Sequence, residues 1–309
     1  MGFFVEVLMG GLLAGVLYSL VALGVVLIFK ASGVFNFAQG AMVLLAALAL
    51  VRLIEWLPAL TGITSAPVII LLAVLLSGAL MIGAALAIER LVLRPLVNQE
   101  GIILFMATLG INYFIECIGQ SMFGSNVYNL DLGIPKEPVF LLDGVFEGGI
   151  LVQEFDLWAA LAAGLLVAVL AAFFQYTRTG RALRAVADDH QAAQSIGIPL
   201  NHIWVIVWSV AGLVALVAGV VWGSLLGVQF SISLLALKAL PVLILGGFTS
   251  VPGAIIAGLI LGAGEKLAEV FLGPVIGGGI ESWFGYALAL VFLLFRPQGL
   301  FGERIIERV

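Results

Sequence analysis

The sequence is poor in charge, cysteine and histidine. Of its 309 residues only 10% are charged and 63% are hydrophobic, whereas a soluble domain carries about 25% charged residues. Too little polar surface remains to keep such a chain dissolved. That excludes a secreted enzyme, a nucleic-acid binder and a soluble dinucleotide-binding domain. The single cysteine, Cys117, excludes an internal disulfide and a cysteine-rich metal site. Placed in an apolar segment, it reads as a small buried thiol. The two histidines, His190 and His202, lie in or at the edge of one polar loop. No His-Glu-x-x-His motif and no pair of aspartates in neighbouring apolar segments occurs, so intramembrane hydrolysis lacks an acid, a base and a nucleophile. A Gly-x4-Gly-Lys-Ser/Thr phosphate loop is missing too. The sequence reads as that of a non-enzyme with no cofactor of its own. A basic segment before the first apolar run is also lacking, with Glu6 in its place and no small-residue cleavage pattern before Lys30. The first run is therefore expected to stay as a helix.

What is present is long apolar sequence. Uncharged stretches run over 7–29, 66–88, 157–174, 203–230 and 239–264, each close to or beyond the roughly 20 residues that cross a bilayer as a helix. The fold class is all-α: a polytopic integral membrane bundle forming one transmembrane domain over 1–309. Spans are predicted near 7–29, 34–51, 66–88, 101–123, 157–175 and 203–228. A Gly- and Pro-broken region at 232–272 and a last span near 282–295 follow, for eight to ten spans in all, some of them discontinuous.

Charge is distributed unevenly. The longest polar excursion, 124–156, holds Asp131, Glu137, Asp143, Glu147, Glu154 and Asp156 against Lys136 alone. The segment 176–202 opens instead with Arg178, Arg181 and Arg184, the turn at 89–100 holds Arg90 and Arg94, and the tail holds Arg296, Arg304 and Arg308. Basic residues mark cytoplasmic loops irrespective of acids. Placing Lys30, the 89–100 turn, 176–202 and the tail inside makes nine of the 13 Lys and Arg residues cytoplasmic. The N-terminus is then periplasmic, 124–156 is a periplasmic loop and the C-terminus is cytoplasmic.

An internal repeat is visible. Gly33-Val34-Phe35-Asn36-Phe37-Ala38-Gln39-Gly40-Ala41 aligns with Gly246-Gly247-Phe248-Thr249-Ser250-Val251-Pro252-Gly253-Ala254. Each has Gly-x-Phe, then polar or breaking residues, then Gly-Ala before an apolar run, the mark of a discontinuous helix beside a pathway. Chance similarity in a Gly- and Ala-rich chain is the competing reading. Of the polar residues in apolar runs, Asn36, Gln39, Thr108, Asn112, Thr249 and Ser250 are candidates for lining a substrate path. Opened backbone at such a break solvates a zwitterion without fixed charge, while a purely helix-breaking role fits Asn36 and Gln39 as well. Glu265, Lys266 and Glu269 are read as snorkelling from a span end, Glu116 likewise, and Lys238 as an interfacial anchor. Gly11-x3-Gly15, Gly219-x3-Gly223-x3-Gly227 and Gly258-x3-Gly262 give small-residue faces for close helix packing.

The segment 176–202 is rich in helix formers until Gly197 stops it and Pro199 prevents resumption. It reads either as a charge-bearing topogenic loop or as a docking helix with an Ala-rich surface for a soluble partner. Its pattern, Gly180-Arg181-Ala182-x-Arg184-Ala185-x-Ala187-x-Asp189 then Ala192-Ala193-x-x-x-Gly197-Ile198, resembles the coupling loop of ABC-importer permeases, in particular the branched-chain amino acid permease family. Asn36-Phe37-Ala38-Gln39-Gly40 is similar to that family's Asn-Phe-Ala-(His/Gln)-Gly segment, with Gln39 where a His is common. Leu93-Arg94-Pro95-Leu96, Ala107-Thr108-Leu109-Gly110 and Phe295-Arg296-Pro297-Gln298-Gly299-Leu300-Phe301-Gly302 match in order. The short chain is closer to the LivH-like than to the LivM-like subunit.

The resemblance implies one permease of an importer in the bacterial inner membrane. Its partners would be a second, LivM-like permease, two cytoplasmic ATPase subunits that bind the ATP, a periplasmic substrate-binding protein and the lipid bilayer. It carries the coupling role onto Gly180, Arg181, Ala182, Arg184, Ala185, Asp188, Ala192, Ala193 and Gly197. The cargo it implies is a branched-chain or related hydrophobic amino acid. The same architecture importing urea or short amides, and a partner-independent channel or secondary transporter, are the alternatives.

Overall fold

The computed structural model describes residues 2–96, 99–141, 149–188, 193 and 195–302. Asp143, Glu147 and Ala192 lie outside them, as does the side chain of Asp188. In chain order the helices are α1 (Gly2–Ser32), α2 (Gln39–Thr61), α3 (Ala66–Ile88), α4 (Gly101–Phe123), α5 (Glu154–Tyr176), α6 (Arg178–Asp188), α7 (Leu200–Leu226), α8 (Leu235–Gly246), α9 (Val251–Ile276) and α10 (Phe284–Phe295). A π turn (Glu89–Leu93) and a 3-10 turn (Arg94–Leu96) prolong α3, and a 3-10 turn (Phe230–Leu234) precedes α8. The protein is an all-α, multi-pass membrane protein. Among the described residues, six helices are long and apolar enough to cross a bilayer, and α8 with its preceding turn joins the 26-residue α9 at a bend of 113°. The 12-residue α10 is shorter than a full span.

One departure from all-α character is a hairpin. Strand β1 (Pro138–Leu141) pairs antiparallel with β2 (Ile150–Gln153), Pro138 opposite Gln153 and Leu141 opposite Ile150. Buried Ile150 and Val152 alternate with exposed neighbours, the period of a strand with one covered face.

The chain falls into two compact units, each assembled from non-consecutive stretches: 1–26, 133–165 and 237–309 form one, 27–132 and 166–236 the other. In the second, α2 is central and packs against α3, α4, α7 and the turn Phe230–Leu234. Small residues permit this. A Cβ on Gly219 of α7 would lie 2.7 Å from the Val43 carbonyl, and one on Gly40 would overlap the Ser233 carbonyl. Helix α2 runs ten residues beyond the end predicted at residue 51, and the terminal nitrogens of Arg52 find partners where it stands. Its guanidinium donates to Glu55 (2.6 Å), the Phe123 carbonyl (3.1 Å) and the Tyr128 hydroxyl (2.5 Å), and lies over the Tyr128 ring. Helix α4 buries Thr108, Ile111, Asn112, Ile115 and Gly119, a single stripe at helical spacing. Cys117 falls off that stripe and is exposed, correcting its reading as a buried thiol.

In the first unit, α1 and α9 cross antiparallel on a glycine seam. Gly11 meets Gly262 and Ala263, Gly15 meets Gly258, and the Ser19 hydroxyl donates to the Gly15 carbonyl (2.9 Å), with the Ala254 (3.4 Å) and Ile255 (3.3 Å) carbonyls of α9 also within reach. Without a hydrophobic driving force between helices in lipid, such backbone approach is what holds them. Phe3 meets Phe271, near the end of α9, edge-on, and Phe4 meets it at a tilt. At its other end, the α8–α9 joint is gripped by the C-terminal arm. The Leu300 and Phe301 amides donate to the Leu245 (2.7 Å) and Gly246 (3.3 Å) carbonyls, which α8 leaves open at its end.

Candidate functional site

The aligned motifs stand at two helix junctions: the connection from α1 to α2, and the bend between α8 and α9. Helix α1 closes at Gly33 (φ +66°) and α8 at Gly247 (φ +94°), each amide bonding back four residues. Left-handed φ is nearly free for glycine alone. The left-handed glycine of the second motif is Gly247, one residue beyond Gly246, its counterpart in the sequence alignment. Gly40 and Gly253 do coincide in role. Each sits in the first turn of the following helix, where a Cβ would overlap a backbone carbonyl, of Ser233 and of Gly246 respectively.

At the first break the polar side chains satisfy one another. The Asn36 carbonyl oxygen accepts from the Ala38 amide (3.1 Å), its Nδ2 donates to Gln39 Oε1 (3.1 Å), and Gln39 Nε2 donates to the Ala211 carbonyl of α7 (3.4 Å). Thr108 of α4 donates to the Phe35 (3.0 Å) and Phe105 (2.9 Å) carbonyls and accepts from the Phe37 amide (3.3 Å). Asn36, Gln39 and Thr108 are wholly buried. The structure brings these three together as the internal lining of a break; Asn112 instead donates to Glu116 on its own helix (3.3 Å). Thr249 and Ser250 belong to the other unit. There the Ser250 hydroxyl caps α9 by accepting from the Gly253 amide (3.0 Å), the usual role of an N-cap serine.

The segment after α5 folds as an amphipathic helix. At the corner into α6 the Thr177 hydroxyl accepts from the Gly180 amide (3.0 Å) and donates to the Phe173 carbonyl (2.6 Å). Gly180 is needed there, since a Cβ would overlap the Phe174 carbonyl. Along α6, Leu183 and Val186 are buried and the helix packs on α7, Arg181 and Arg184 are exposed, and Ala182 and Ala185 are half-buried. Ala193 is buried, and Gly197 ends the segment at φ +86° with the Ile198 amide bonded back to the Ala193 carbonyl (3.0 Å). The outward surface is thus arginine with an alanine margin.

A third polar group gathers residues read from the sequence as snorkelling or anchoring at an interface. Glu265 lies mid-helix in α9 with only 5% of its surface exposed, which corrects the span-end snorkelling reading. The Tyr18 hydroxyl of α1 donates to its carboxylate, and Lys238 Nζ of α8 donates to the same hydroxyl (3.4 Å). Glu265 Oε2 has no hydrogen-bond partner. Its neighbours are ordinary: Lys266 pairs with Glu281 (2.6 Å), and Glu269 accepts from the Gly279 (2.9 Å) and Glu281 (3.1 Å) amides. The available signal was that Lys238 and Glu265 bracket the long uncharged run 239–264.

Long apolar helices, one helix pair bent by 113° and polar groups buried between helices define a polytopic membrane protein. Residues 7–296 match the family described as "Branched-chain amino acid transport system / permease component", and the chain belongs to that family. It is 28% identical over 319 residues to the high-affinity branched-chain amino acid transport system permease protein LivH of Salmonella typhimurium, covering 99% of this chain and 98% of that one. It is 29% identical to the corresponding protein BraD of Pseudomonas aeruginosa, at 99% and 98% coverage. A shorter match, 27% over 146 residues covering 45% of this chain and 37% of the relative, is to the autoinducer 2 import system permease protein LsrC of Escherichia coli.

Proposed function

We propose that this permease is one translocation subunit of an ATP-driven, binding-protein-dependent importer of branched-chain or related hydrophobic amino acids in the bacterial inner membrane. Full-length similarity to LivH and BraD, together with family membership across 7–296, is the observation that carries this reading. A second, LivM-like permease completes the pathway, and a periplasmic binding protein delivers the substrate. Two cytoplasmic ATPase subunits bind the nucleotide.

The coupling surface is α6, with Ala193 and Gly197 beyond it. Burial of Leu183 and Val186 seats α6 on α7, so a push on its exposed arginines is passed to a membrane-crossing helix. When ATP closes the two ATPases, the coupling helices follow and the bundle exchanges a periplasmic opening for a cytoplasmic one. Coupling of this kind is a free-energy link between sites carried by packed contacts.

The test is leucine uptake into vesicles holding the whole complex, binding protein and internal ATP. Arg184→Glu should lower ATP-driven uptake about tenfold or more, within the usual span of a coupling free energy, while the amount of inserted protein is unchanged. Uptake that needs no ATP would make the protein a channel or secondary transporter. Effective competition by urea would reassign the cargo to short amides.

A further inference from the structure

We infer that Tyr18, Lys238 and Glu265 form a station that holds the ammonium and carboxylate groups of a zwitterionic amino acid during passage. The inference rests on the importer reading above and names the place where the cargo's charges are met.

An ionisable group in the interior of a membrane helix costs several kcal/mol and is a functional candidate by default. Here two of opposite sign are brought to one tyrosine from three helices of the same unit. A structural ion pair would be closed, each charge saturated by the other. This one is open. Lys238 and Glu265 both bond the Tyr18 hydroxyl, and among the described residues the ion pair of this unit is Lys266 with Glu281. An ammonium has three donors, and Lys238 spends one of them on the Tyr18 hydroxyl. Glu265 Oε2 is buried with no partner at all, and a buried acceptor left unpaired carries a cost of about 1–3 kcal/mol.

The spare groups are therefore one cationic donor and one anionic acceptor. A zwitterion supplies their complements: its ammonium satisfies Glu265 Oε2 and its carboxylate takes the free donors of Lys238. A neutral amide such as urea brings no charge to either, so the pairing favours amino acids over amides. Access follows from the elements. Lys238 travels with α8 and Glu265 with α9, and the two helices meet at a 113° bend through Gly247–Ser250. Movement of α8 about that joint parts the lysine from the tyrosine and uncovers the carboxylate. Gly285 of α10 keeps the far side narrow, since a Cβ there would come within 3.0 Å of Glu265 Oε1.

The test uses the assembled complex in vesicles with leucine-loaded binding protein, reading leucine carried per ATP hydrolysed. Glu265→Gln/Lys238→Gln removes both charges together, which a structural pair tolerates well. The station predicts a fall in leucine per ATP of about tenfold or more, the loss expected from removing hydrogen bonds to charged groups. Lys266→Gln/Glu281→Gln should leave the ratio unchanged. If the Glu265/Lys238 variant keeps the wild-type ratio, with uptake and hydrolysis equal to wild type or reduced in proportion, the station is overturned and the importer reading stands. Should the double variant fail to reach the membrane, the isosteric Glu265→Gln alone decides by the same ratio. Wild-type complex that carries no leucine would instead sink the importer reading, and the station with it.

Discussion

Gln39 shows how a single side chain fixes a helix break. It accepts from Asn36 and donates to the Ala211 carbonyl, so it ties the extended segment to α7 from the first turn of α2. Gln39→Leu would strip Asn36 Nδ2 and the Ala211 carbonyl of these partners in a fully buried site, at a cost of about 1–3 kcal/mol. The expected result is a lower midpoint of thermal unfolding for the purified protein in detergent. Gln39→His keeps one ring nitrogen to donate and one to accept, and its midpoint should lie near the wild type. The prominence of Asn36, Gln39 and Thr108 was legible in the sequence, because polar residues in apolar runs must find partners. Their mutual satisfaction was not, since it depends on α4 and α7 arriving at the same place. Glu265 was misread for the same reason. Its neighbours Lys266 and Glu269 make the stretch look like a span end, and only the approach of α1 and α8 shows it as interior.

At the scale of elements, apolar length was a good guide wherever a helix ran uninterrupted. Helix α3 begins and ends at the predicted residues 66 and 88, and α4 at 101 and 123. Boundaries set by tertiary contacts were not legible: α2 starts at Gln39 rather than 34, and its passage through Arg52 depends on Phe123 and Tyr128. The hairpin Pro138–Gln153 was missed because its strands are four residues each, too short to show a period. The C-terminal arm is the clearest case of an element whose role needs the fold. Gly299 (φ +80°) turns the chain so that Leu300 and Phe301 cap α8, and a Cβ on it would lie 2.7 Å from the Gly247 amide nitrogen. Gly299→Val should therefore cost about 1–3 kcal/mol in backbone strain and release the Leu245 and Gly246 carbonyls. Hydrogen exchange should quicken at the amides of Gly247 and Ser250, in the α8–α9 joint, with the α1–α9 seam unaffected.

For the whole molecule, the orientation that the basic residues predict bears on the two ends of α9. Phe3 and Phe4 meet Phe271 near its C-terminal end, whereas the arm at Leu300 and Phe301 grips the joint before its N-terminal end. A helix of 26 residues is about 39 Å long, enough to span the roughly 30 Å hydrocarbon core. The placement of basic residues predicts that the chain's first residues and its C-terminal arm lie on opposite sides of the membrane, and α9 between them is long enough for that. Odd parity follows if α8, α9 and α10 each reverse direction after the six long helices, even though α8 and α10 are too short to cross alone. Thiol labelling decides it. With Cys117→Ala as background, a membrane-impermeant maleimide applied to intact cells should modify Gly2→Cys and Ser125→Cys. Gln298→Cys and Ile196→Cys should react only after the membrane is opened. Labelling of Ile196→Cys from outside would place the α6 arginines in the periplasm, out of reach of any ATPase, and reverse the proposed direction of coupling.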